Sequence, residues 1–73
     1  MSSLYRLDVN HPEGSRPVRD PILGGDFLTT SRPLARSKAR TVAERNPGIP
    51  VVCTRIYGAG SMRESFRITV NVK

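Results

Sequence analysis

The sequence predicts an α+β domain of two layers, one helix packed on a small antiparallel-dominated sheet. The element order is β-α-β-β, with room for one extra short strand. Three observations carry this. The two ends of the chain alternate apolar and polar residues with a period of two. A single segment between them has the helical spacing. The last two strands are separated by a short Gly-rich connection, which favours a hairpin. The 73 residues make one small domain, 1–73. A domain of this size buries roughly 60% of its unfolded surface, which leaves little room for an enclosed active site.

The opening strand runs from Leu4 to Val9. Tyr5, Leu7 and Val9 share one face, with Arg6 and Asp8 on the other. It is expected at a sheet edge, where unpaired backbone groups can take an extended segment of a partner. Residues Asn10 to Asp26 read as one long Pro/Gly-rich loop. Pro12, Pro17 and Pro21 remove backbone donors, and Gly14, Gly24 and Gly25 weaken any regular element. Loops longer than about 12–15 residues are usually functional or disordered. The apolar residues Val18, Ile22 and Leu23 either pack back on the sheet or meet a partner. Phe27-Leu28-Thr29-Thr30 can add a short strand.

The helix spans Ser31 to about Arg45. Ser31 is the N-cap, and Pro33 suits the first turn, where an amide has no intrahelical partner. Ala35, Ala39, Val42 and Ala43 form a narrow stripe of small residues, suited to a close approach to a sheet. Pro47 and Gly48 end the helix. A strand follows from Val51 to Tyr57, then a turn at Gly58-Ala59-Gly60-Ser61, then a strand from Phe66 to Lys73. Phe66, Ile68, Val70 and Val72 are expected on its buried face, with Arg67, Thr69, Asn71 and Lys73 opposite.

Little in the composition supports catalysis. The chain has one His and one Cys, and its acids are scattered, so no metal-ligand spacing and no metal or cofactor site is expected. Cys53 lies in an apolar run and reads as a small core residue. A single thiol suits a reducing compartment, and the N-terminus has no secretory signal pattern, so a cytoplasmic location is expected. No apolar run is long enough to span a membrane. The Gly58–Ser61 segment runs into a strand and lacks the lysine of a phosphate-binding loop. The expectation is a monomer that is not an enzyme.

Charge is the more informative signal. Twelve Lys+Arg face six Asp+Glu, for a net charge of +6, and ten of the twelve cations are Arg. Arg makes bidentate contacts to carboxylate and phosphate. Arg32, Arg36 and Arg40 recur every four residues and form one ridge, expected opposite the Ala stripe and suited to RNA or an acidic partner surface. Tyr57 is the clearest free aromatic for base stacking. No zinc-finger spacing, Gly-x-x-Gly clamp or helix-turn-helix is present, so nucleic-acid contact would be to the backbone rather than base-reading.

In outline the chain resembles the small RNA-polymerase-binding transcription regulators of Xanthomonas phage. The shared features are chain length, the opening strand Tyr5-Arg6-Leu7-Asp8-Val9, the loop Asn10 to Asp26, and the closing strands Val51 to Tyr57 and Phe66 to Val72. The resemblance implies binding to the N-terminal part of the β′ subunit of host RNA polymerase, in the host cytoplasm. It further implies inhibition of initiation by weakened σ attachment, suppression of termination, and contact with nascent RNA through a basic surface. The partner contacts expected on this reading are Arg6 and Asp8 on the opening strand and Arg16, Val18, Arg19 and Ile22 in the loop. The alternatives from the residues themselves are a small basic nucleic-acid-binding module and a minor virion assembly protein.

Overall fold

The computed structural model describes residues 3–58 and 60–72. It is an α+β two-layer arrangement, with one helix packed against a five-stranded antiparallel sheet. The elements are β1 (Leu4–His11), β2 (Gly14–Pro17), β3 (Leu28–Thr29), α1 (Arg32–Arg45), β4 (Val51–Ile56) and β5 (Met62–Ile68). The sheet order is β2-β1-β4-β5, with β3 also paired to β1.

The opening strand is therefore central, which corrects the edge placement. On one side β1 pairs with β4, Leu7 opposite Cys53 and Val9 opposite Val51. Its other side is shared by β2 along Asp8 to His11 and β3 along Tyr5 and Arg6. The run Tyr5-Leu7-Val9 belongs in the middle of a sheet because all three side chains are buried under the helix. From Tyr5 to Val9 the backbone of β1 is flanked on both sides, so it offers no open edge to a partner strand there.

The segment 10–26 is likewise not one open loop. β1 turns back at once into β2, Asn10 opposite Ser15 and His11 opposite Gly14. All four β2 residues are exposed, so β2 forms by backbone pairing with β1, aided by the Ser15 hydroxyl donating to Asn10 Oδ1 (3.2 Å), with its proline at the strand's end on a sheet edge. Beyond it, the Val18 amide donates to the Leu7 carbonyl (2.9 Å) and the Phe27 amide to the Val18 carbonyl (2.8 Å). Val18 is buried in the core. What remains is a compact turn. The Asp20 carboxylate accepts the amides of Ile22 (2.9 Å) and Leu23 (3.0 Å), and Gly24 and Gly25 close the turn at φ 76° and 69°.

The helix forms as its caps predict. The Ser31 hydroxyl accepts the Leu34 amide at 3.3 Å, and Pro33 sits in the first turn. At the far end the Asn46 amide donates to the Ala43 carbonyl (3.1 Å) and its side chain to the Val42 carbonyl (2.8 Å). Ala35, Ala39 and Ala43 are fully buried over Leu7, Val51 and Cys53, so small residues let the helix sit close on β1 and β4. Gly48 follows at φ +82°, a conformation that favours glycine, and a Cβ there would lie 2.7 Å from the Val72 side chain and displace it.

β4 and β5 form the expected hairpin, but β5 starts at Met62 and ends at Ile68, earlier than the alternation over 66–73 implies. Phe66, Ile68 and Val70 pack half-buried against the core, whereas Val72 is exposed. The register steps by one between Cys53 and Thr54: Cys53 faces Phe66 but Thr54 faces Glu64, so Ser65 is the extra residue of a β-bulge. This bulge exchanges the two faces of β5. Strict alternation from Phe66 would send Arg63 to the open face, and the bulge returns it to the helix side, opposite Arg55. Met62 and Glu64 move to the open face in exchange. No helix of the described residues is long and apolar enough to cross a membrane.

Candidate nucleic-acid interface

Two groups of cations lie on the helix side of the sheet. The first is the ridge Arg32, Arg36 and Arg40. It does not lie opposite the alanine stripe. Successive residues turn by about 100°, so the ridge starts beside the stripe and climbs away from it. The guanidinium carbons of Arg32 and Arg36 lie 5.3 and 5.5 Å from the centroid of the Phe66 ring, above β5. The Arg32 Nε also donates to the Ser65 hydroxyl at 3.4 Å. The bulge residue thus helps hold the first arginine of the ridge.

The second group sits where the β4–β5 hairpin projects past the helix N-terminus. Arg55 and Arg63 are directly opposite in register, and side chains so placed share a face. A like-charge pair at such a position is unfavourable by itself. Arg55 is steadied from its own side: its Nε donates to the Ser3 hydroxyl (2.9 Å), and its guanidinium stacks 4.8 Å from the Tyr57 centroid. Tyr57, Ser61 and Arg63 line an open depression of about 310 Å³. Tyr57 is 36% exposed, with its backbone amide bonded to the Ser61 carbonyl (2.9 Å).

None of Arg32, Arg36, Arg40, Arg55 and Arg63 is in an ion pair among the described residues. The two ion pairs there lie elsewhere, Arg6 Nε with Asp8 Oδ2 (3.2 Å) and Arg67 with Glu64, whose Nε–Oε2 contact is 3.1 Å. The Arg67 guanidinium holds the Glu64 carboxyl below its ordinary range, and Glu64 in turn raises Arg67. Cys53 lies close to the ridge but inside the core. Burial pushes its thiol up to about 11, with the charge of Arg32 pulling weakly the other way. It is a packing residue, not a nucleophile.

The remaining residues singled out in the sequence do not join this band. Arg6 and Asp8 pair with each other on the open face of the sheet. Arg16 is exposed on β2, and Arg19 and Ile22 lie in the segment between β2 and β3, so all three are at the sheet edge opposite β5. Val18, expected as a partner contact, is a core residue instead. Ile22 and its neighbour Leu23 are 89% and 86% exposed at the tip of the Asp20 turn. The pairing of Arg55 with Arg63 was missed in the sequence. A hairpin turn centred between Tyr57 and Ser61 would have signalled it, because counting back two residues on each side brings 55 opposite 63.

Comparison with protein-family models, with curated proteins and with solved structures finds no match to this chain.

Proposed function

We propose that this protein is a non-catalytic, basic module that binds single-stranded nucleic acid through its phosphate backbone, working in the cytoplasm. The observation that carries the reading is the group of five arginines without carboxylate partners among the described residues, running along the helix flank to the hairpin end and finishing at Tyr57 and its depression. Guanidiniums supply sequence-independent phosphate contacts, and an exposed aromatic beside them can stack one base. Arg32, Arg36 and Arg55 rest on aromatic rings, which fixes their position before a ligand arrives.

A second reading, contact with a protein, is favoured by Ile22 and Leu23, two apolar side chains exposed on a turn hydrogen-bonded to Asp20. The resemblance to phage regulators would make that partner bacterial RNA polymerase, at its β′ subunit. The fold withdraws the edge strand and open loop on which that docking was expected, so this reading comes second. Tagged protein exposed to bacterial lysate with and without nuclease separates the two. Nucleic acid recovered without nuclease, and no polymerase subunit surviving treatment, supports the first. Polymerase retained after nuclease, and lost in Ile22→Asp, supports the second and overturns the first.

A further inference from the structure

The helix covers one face of the sheet, and among the described residues no second element packs on the other, where Asp8 is nonetheless buried beside Arg6. The register writes that open face out in rows. At the hairpin end Leu4, Ile56 and Met62 stand side by side across β1, β4 and β5. The next row is Leu28, Arg6, Thr54 and Glu64, and the one after it Pro17, Asp8, Val52 and Arg67. Leu4, Leu28 and Met62 are 39%, 49% and 55% exposed, which places an apolar patch at one end of the face. The charges of the other rows are two opposed pairs, Arg6 with Asp8 and Arg67 with Glu64. They sum to zero, so the whole formal charge of +6 lies elsewhere in the chain.

We infer that this open face is a two-fold interface with a second copy of the same chain, in place of the single copy expected from the sequence. Charge selects the occupant. Two molecules of +6 repel each other at long range. The one sheet face with no net charge, carrying both signs alternately, is where two copies can meet without that repulsion and with cations of one facing acids of the other. An acidic partner would have no reason to prefer it over the unpaired arginines on the helix side. The monomer also gains by it: its fully buried large side chains are few, Leu7, Val51 and Cys53, and domains below about 70–80 residues commonly draw on oligomerisation. Sheets packed back to back would leave the arginine bands facing outward on both sides of the dimer.

The test is sedimentation velocity of the full chain across a concentration series, beside Ile56→Lys and Met62→Lys, with circular dichroism to confirm that each variant is folded. The wild type should shift from one to two copies as concentration rises, and both folded variants should stay single. Glu64→Lys, which makes the face positive, should weaken association in low salt and recover part of it in high salt. A wild type that remains a single copy at the highest soluble concentration overturns the proposal and leaves the face to another partner or to solvent. A dimer that persists unchanged in Ile56→Lys and Met62→Lys overturns it equally, because the contact would then lie elsewhere.

Discussion

On β4, Val51, Cys53 and Arg55 are on the helix side of the sheet, and Val52, Thr54 and Ile56 are on the open side. The two sides handle charge in different ways. On the open side every arginine has a carboxylate: Arg6 has Asp8 and Arg67 has Glu64. On the helix side the core is apolar, and of the arginines around its rim Arg32, Arg36 and Arg55 have rings or hydroxyls as neighbours, while Arg63 has no acid partner among the described residues. Stability alone would favour the opposite arrangement, since an acid opposite Arg55 would relieve the Arg63 contact. Cations kept together and uncompensated are what an external anion requires. This difference between the sides is what supports the two proposals, anion binding at the helix side and self-association at the open side.

The sharpest break between the faces is in stability. Leu7 is fully buried under the helix, so Leu7→Ala should cost about 2–5 kcal/mol through lost burial and a cavity. A small domain rarely has more than about 3–5 kcal/mol to lose, so this variant should melt near or below room temperature. Phe66→Ala should cost less, because Phe66 is half-buried and part of its ring is covered only by Arg32 and Arg36. Thr54→Ala, on the open face beside Cys53 in sequence, should change stability by about 0.5 kcal/mol or less. Thermal denaturation of the three orders them; an unfolded Thr54→Ala beside a stable Leu7→Ala would exchange the faces and withdraw the account.

The two faces also differ in what alkali does. Cys53 in the core keeps its proton until about pH 11, above the ordinary thiol value of 9.0 that it has in the unfolded chain. A raised folded value means that the contribution is complete below pH 9.0 and is lost as pH rises through about 11. Chemical denaturation should give constant stability up to pH 9.0 and a decline above it, with Cys53→Ala removing this component of the decline. Thiol reagents at neutral pH should label Cys53 only as fast as the domain opens.

The smallest effect belongs to the Asp20 turn, at the far edge from the arginine band. Its carboxyl is held below the ordinary range, first by the Leu23 amide and then by the Ile22 amide. A lowered folded value means that the turn is held at pH above the ordinary carboxylate range and is released as pH falls through the lowered value. The Ile22 and Leu23 amide resonances should move together in an acid titration, with no change at the arginine band. Asp20→Asn should remove that titration and leave nucleic-acid binding intact.

Much of this was legible in the chain. The period-two run Tyr5-Leu7-Val9, the Ser31 cap with Pro33, the alanine stripe and the Pro47–Gly48 stop each encode their element locally, and each forms as read. β2 was not legible, because Gly14-Ser15-Arg16-Pro17 has no apolar pattern and its pairing is made by backbone groups and one Ser15–Asn10 side-chain hydrogen bond. The central position of β1 follows from that unseen strand. The ridge of Arg32, Arg36 and Arg40 was visible as a spacing, but its place beside the buried stripe depends on the helix pitch and on Phe66 lying beneath it. Counting back from the hairpin turn brings Arg63 opposite Arg55, whereas the alternation read from Phe66 puts Arg63 on the open face, because the Ser65 bulge that reverses it has no signature in the sequence.

The most direct test of the central claim is the salt dependence of binding to a labelled single-stranded oligouridine, measured by fluorescence anisotropy for the wild type and for Arg36→Ala/Arg40→Ala. Each phosphate contact contributes a slope of about −0.7 in log affinity against log salt for single strands. The account predicts weaker binding by the double variant at every salt concentration and a slope shallower by up to about 1.4, the share of two contacts. It also predicts that Arg6→Ala, whose guanidinium already has its carboxylate, leaves the slope unchanged. An identical slope in wild type and double variant, or no binding by the folded wild type at low salt, would contradict it.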